Sequence, residues 1–164
     1  MAKPPNDIIS NWYYLSEGLQ ASSKDFYAAV DQALQARQIP KIGLTRIELA
    51  EGGPFSAKRE YLRVVWKDYL FDICGAPFGN GFFFSWWLGQ RPSGCLALLT
   101  AIPVLGSLIS GSHRLKYYQI DTALMFQESV RNAVNEVIDG ITTAKGIRAL
   151  SEAERKPILR GFQR

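Results

Sequence analysis

The chemistry open to this chain begins with its one histidine. His113 is the only side chain whose ordinary pKa lies near neutrality, as a general acid or base requires. It stands beside Arg114 at the exit of a long uncharged stretch, where a solvated histidine is ordinary. Asp72 alternates with Leu70 and Cys74, so it is expected to face inward. A buried carboxylate needs a partner. Arg63 or Arg59 on the preceding strand would supply one, which points to a structural ion pair rather than a catalytic acid. No second carboxylate has the spacing of a two-carboxylate hydrolase. Ser56 and Lys58 form a Ser–Lys pair without any flanking signature. There is no CxxC and no HxxxH, so no metal site is expected. The glycines of GAPFGNG fit neither the dinucleotide fingerprint nor the phosphate loop. These residues predict no catalytic group and no cofactor.

Positive charge offers a different chemistry. The chain has a formal net charge of +4, and the last twenty residues, with six basic and two acidic groups, carry all of it. Such a segment can meet phosphates, acidic lipid or an acidic partner. A second basic group, Lys58, Arg59, Arg63 and Lys67, is interleaved with Tyr61 and Trp66. The expected anion or head-group contacts are Lys58, Arg59, Arg63, Arg114, Lys116, Arg155, Lys156 and Arg160. Basic and aromatic residues together can also hold single-stranded nucleic acid. The segment GNGFFFSWW resembles an RNA-recognition strand, but the expected element order is not βαββαβ, so the nucleic-acid signal is weak.

The elements that position these residues follow from periodicity. At 164 residues with 47% apolar and 21% charged content, one folded domain over 1–164 is expected. Residues 1–11 read as a loose arm, and Trp12 to Leu15 as a segment docking on the body, as an edge strand would. Ser22 and Asp25 form a capping-box pair opening a helix over 22–38, with Phe26, Val30, Ala33 and Leu34 on one face. Arg37 suits the last turn and Pro40 ends the element. Strands follow near 42–49, 59–66, 69–76 and 82–88. A change of phase near Arg46 predicts a bulge. Lys67-Asp68 and Asn80-Gly81 are the expected tight turns. A long helix over 121–144 carries Phe126, Val130, Ala133, Val134, Val137 and Ile141 as its stripe, and Gly146 stops it. Ser151 and Glu154 predict a further short helix, which Pro157 must kink. The fold class is α+β: a four-stranded antiparallel β-meander flanked by an N-terminal helix and a long C-terminal helix. An apolar segment, 94–110, lies between strand and helix, and a basic extension occupies 147–164.

The fourth strand raises the question of function. FFFSWWL places Phe82, Phe84, Trp86 and Leu88 on one face and Phe83 and Trp87 on the other. Both faces therefore need cover. The helices serve one; the other requires the apolar segment, a second copy of the chain or lipid. The run from Gly94 to Ile109 has sixteen residues, interrupted by Pro103, which is short for a straight span. Trp86 and Trp87 before it, and Tyr117 and Tyr118 after it, stand where interfacial aromatics would. The expected membrane or apolar contacts are Trp86, Trp87, Leu98, Ile102, Leu105 and Leu108. The leading expectation is a non-enzymatic module on a membrane surface, with anionic lipid as partner. The alternative is a soluble binding domain, dimeric in one form, whose aromatic sheet face lines a pocket for an apolar ligand or peptide. MAKPPNDIISNWYYL has no apolar leader, and Cys74 and Cys95 are isolated, so a reducing cytoplasmic setting is expected, at the inner face of a membrane under the first reading.

Overall fold

A computed structural model describes residues 7–50, 58–90 and 117–160. The expectations for His113, Arg114, Lys116, Ser56, Cys95 and the apolar segment with Leu98, Ile102, Leu105 and Leu108 concern residues outside these. The element order is β1 (Asp7–Glu17), α1 (Ser23–Ala36), β2 (Gly43–Ala50), β3 (Lys58–Trp66), β4 (Tyr69–Phe78), β5 (Gly81–Gln90), α2 (Tyr117–Ala144) and β6 (Ile158–Leu159). The class is α+β with an antiparallel sheet and two helices, but the sheet has six strands in the order β2-β3-β4-β5-β1-β6.

The N-terminal segment accounts for most of the difference. Residues 7–11 are part of an eleven-residue strand and not a loose arm. β1 pairs with β5 along its whole length and lies inside the sheet, with β6 beside it at Ser10 and Asn11. The chain crosses from β1 to the far edge through α1. Four strand spacings are roughly 19 Å, and fourteen helical residues rise about 21 Å. The helix is thus long enough to carry the chain across, and the meander then walks back until β5 meets β1.

Ser22 caps α1 by accepting the Asp25 amide at 3.3 Å. Phe26, Val30 and Leu34 are buried along its inner stripe. Arg37 closes the helix, donating to the Ala33 carbonyl at 2.8 Å. α2 starts four residues earlier than its periodicity predicts and ends before Gly146, whose φ of 69° breaks the helix. Both helices lie on one sheet face. Phe26 packs edge-on against Phe84 (5.1 Å between ring centroids), and Phe126 packs against Trp66 (5.5 Å) and Phe71 (6.1 Å). Phe82, Phe84, Trp86 and Leu88 of β5 all point into this layer and are fully buried. Each such side chain stabilises the fold by roughly 1.5–3 kcal/mol.

Three local expectations change. β2 has no bulge: it pairs with β3 in unbroken register from Gly43 to Ala50. Leu44 and Arg46 share the helix-side parity, and Arg46 lays its guanidinium over the Tyr27 ring at 4.1 Å, so a cation fills an apolar position. The β4–β5 turn is Gly79-Asn80 rather than Asn80-Gly81, with Phe78 opposite Gly81. Gly79 has a φ of 58° and Gly81 touches β1, where an added Cβ would stand 2.6 Å from the Ser16 carbonyl oxygen. The Ser151–Glu154 box forms its hydrogen bonds but opens a single turn, which leads into β6 instead of a helix.

Candidate functional site

The second sheet face carries none of the described helices, and register defines its rows. One row crosses all six strands: Thr45, Arg63, Asp72, Trp87, Asn11 and Ile158. At its centre Arg63 grips Asp72 with two hydrogen bonds of 2.7 Å. Asp72 is 2% exposed and Arg63 is 8% exposed. The inward carboxylate therefore has its arginine, and both of its oxygens are engaged. Farther along the row, Arg160 donates to Asn11 at 2.6 Å and stands 5.8 Å above the Trp87 ring.

Beyond this row the sheet divides. β3 and β4 pair from Trp66–Tyr69 to Leu62–Ile73. Continuing that register, Glu60 would oppose Gly75. Instead the Tyr27 hydroxyl of α1 stands between them, donating to the Glu60 carbonyl at 2.7 Å and accepting from the Gly75 amide at 3.1 Å. A side chain from the helix layer thus replaces a direct ladder bond. Burial raises the Tyr27 pKa well above the ordinary phenol value, so the group stays a neutral donor and acceptor. Gly75 is required on the same strand because Phe26 lies flat against it; a Cβ there would come within 2.3 Å of the ring. Cys74, one residue away, is fully buried, and burial pushes its thiol pKa up. That environment disfavours the reactive thiolate.

Past the division lies a groove of about 480 Å³. Ala76 of β4, Phe83 of β5 and Leu15 of β1 form one cross-strand row in it. Tyr13 and Phe78 rise beside that row, 61% and 69% exposed, and Arg59 of β3 stands across the division. The lining is mainly apolar, and Arg59 carries its one formal charge among the described residues. Size and lining match those of small-molecule sites, which are concave, apolar and equipped with a few polar groups.

The other residues singled out in the sequence fall elsewhere. Trp86 is a fully buried side chain of the helix-side core, and Trp87 is half-buried on the second face. Lys58 lies exposed beside Glu48 at 3.4 Å. Arg155 binds Asp139 through two hydrogen bonds, at 2.8 and 3.0 Å, and Lys156 is exposed. These basic residues do not converge with Arg59. Among the described residues no group of three His, Cys, Asp or Glu could hold a metal ion. A polar cleft of about 410 Å³ runs beside α2, but Arg155 and Asp139 in its lining pair with one another.

Sequence reasoning did not assemble the groove. Tyr13, Leu15, Ala76 and Phe78 each stand two residues from a groove neighbour, as one strand face requires, yet they come from strands far apart in the chain. Tyr27 follows Phe26 in α1, and nothing in that order signals a hydroxyl set between two strands. Comparison with protein-family models, with curated proteins and with solved structures finds no match to this chain.

Proposed function

We propose that this chain is a non-enzymatic binding module whose second sheet face takes up a small apolar ligand. The observation that carries the reading is the aromatic groove itself. Tyr13, Leu15 and Phe78 remain substantially exposed beside Ala76 and Phe83. A folded chain stabilises itself by covering such residues, so an apolar surface that is concave and left open marks a site for another molecule. Titration with the neutral fluorophore N-phenylnaphthylamine tests this. Enhanced, saturable fluorescence that Ala76→Phe abolishes in a folded variant is the expected result. Emission that stays unchanged on titration, or is equal in parent and variant, refutes it.

A second reading rests on Tyr117 and Tyr118. They form an edge-to-face pair at the start of α2 and are 80% and 52% exposed. They follow the apolar segment 94–110 in sequence, and tyrosines are favoured at the lipid–water boundary. Under this reading the module attaches to an anionic membrane surface at the inner face of the membrane. No described helix is long and apolar enough to cross one. Flotation with phosphatidylglycerol vesicles, lost in a folded Tyr117→Ser/Tyr118→Ser variant, is the expected result.

A further inference from the structure

We propose that the ligand of this groove is a single anionic amphiphile: an apolar body ending in a carboxylate or a group of like charge. The inference rests on the binding reading above and names its ligand class. It follows from the arrangement of one cation against an otherwise apolar wall. Arg59 belongs to β3, whereas Ala76, Phe83 and Leu15 belong to β4, β5 and β1 in that spatial order. The charged and apolar ends of the groove are therefore separated across the sheet. Two strand spacings, roughly 10 Å, lie between the backbones of β4 and β1, and the division sets β3 farther off than a third ladder spacing would. A molecule with its head at Arg59 would lay its body over Ala76 and Phe83 and end between Leu15 and Tyr13.

Tyr27 makes the site possible without touching the ligand. Its hydroxyl replaces the direct bond between Glu60 and Gly75, so Arg59, laddered to Leu49 of β2, faces β4 across a division. It is a positioning residue for Arg59. Arg59 also takes part in interactions within the chain. A guanidinium has five N–H donors in a planar fork, so it can serve a carboxylate beside an internal partner. A bilayer is a poorer occupant for this geometry. The groove lining offers one cation among the described residues, Arg59, and the neighbouring cation Arg63 is buried and paired with Asp72.

The experiment measures dodecanoate and dodecanol binding by calorimetry, below the concentration at which either aggregates, with the whole chain. Variants are Arg59→Met, Lys58→Met as a nearby exposed cation outside the groove, and Ala76→Phe to fill it, each checked for folding by circular dichroism. Dodecanoate should bind the parent at least about tenfold more tightly than dodecanol, the usual return of a charge-assisted hydrogen bond. Arg59→Met should remove that preference while dodecanol still binds, Lys58→Met should keep it, and Ala76→Phe should weaken both. Tyr27→Phe should reduce the preference if it remains folded. Equal binding of the two probes, or a preference that survives Arg59→Met, overturns the anionic class but leaves the apolar groove standing. Failure of both probes overturns this inference and the binding reading together. Association only with phosphatidylglycerol vesicles, and not with monomeric dodecanoate, also overturns it in favour of a membrane surface.

Discussion

The two faces of one sheet have been put to different uses. Toward the helices, β5 presents Phe82, Phe84, Trp86 and Leu88, each fully buried. Phe26, Phe71 and Phe126 interlock with that layer at ring separations of about 5–6 Å. The other face begins with a polar row around Arg63 and Asp72 and ends in an open groove where Tyr13 and Phe78 are mostly exposed. Apolar side chains occur on both. What differs is cover: the first set is buried beneath the helices, whereas on the second face Tyr13 and Phe78 keep most of their surface exposed.

The largest expected effect breaks the covered face. Phe26→Ala should cost about 3–5 kcal/mol in urea unfolding, because the ring touches Phe82, Phe84 and the surface of Gly75. Tyr13→Ala on the open face should change stability by no more than about 0.5 kcal/mol. Similar costs for the two would erase the contrast.

The polar row gives a comparable effect by another mechanism. Asp72→Ala leaves the buried Arg63 guanidinium without its carboxylate and should cost about 3–5 kcal/mol. The double variant Arg63→Met/Asp72→Leu should recover most of that loss, since desolvation offsets much of a buried pair's attraction. A double variant as unstable as the single one would mean that the pair itself holds this face together.

A smaller effect tests the link between the faces. Tyr27→Phe removes the hydroxyl that bridges Glu60 and Gly75 and leaves the buried Gly75 amide and the partly buried Glu60 carbonyl to find new partners. A loss of about 1–3 kcal/mol is expected. Hydrogen exchange at the Gly75 amide should rise more than at Ile73, where β3 and β4 pair directly. Uniform change at both positions would argue against a local bridge.

The smallest effect lies in the C-terminal turn. The Arg148 guanidinium, with the Ser151 amide and hydroxyl, lowers the Glu154 pKa to about 2. A carboxylate held below its unfolded value of 4.5 stabilises the fold fully above that pH. The contribution disappears as pH falls from 4.5 toward 2. The group is partly exposed and solvent screens its ion pair, so the effect on stability is small, but NMR titration reads it directly. Arg148→Ala should move the Glu154 midpoint back toward 4.5, and an unmoved midpoint would exclude the guanidinium as the main cause.

Periodicity carried far in this chain where burial repeats along one element. The stripe of α1, the stripe of α2 and the inner parity of β5 were each legible, since a helix or strand must turn its apolar residues toward one side. The Ser22 cap and the Gly146 stop were legible for the same local reason. The bulge near Arg46 was a misreading of that rule. A cation stacked on Tyr27 can occupy an apolar position, and hydrophobicity alone does not register it. The helix expected after Ser151 failed because a cap fixes only the first turn, while pairing with β1 claims the residues that follow.

By itself, then, the sequence determined an α+β chain with two amphipathic helices, strands that walk back in an antiparallel meander, and a strand apolar on both faces. It also determined that Asp72 would need an arginine. Those properties depend on neighbours within a few residues or on an adjacent hairpin. Tertiary structure decided that β1 pairs with β5, that β6 joins the edge, and that Tyr27 reaches between β3 and β4. It alone brought Leu15, Arg59, Ala76 and Phe83 around one groove. Which distant strands become neighbours depends on how all the apolar faces bury together, and no single stretch of the chain contains that information.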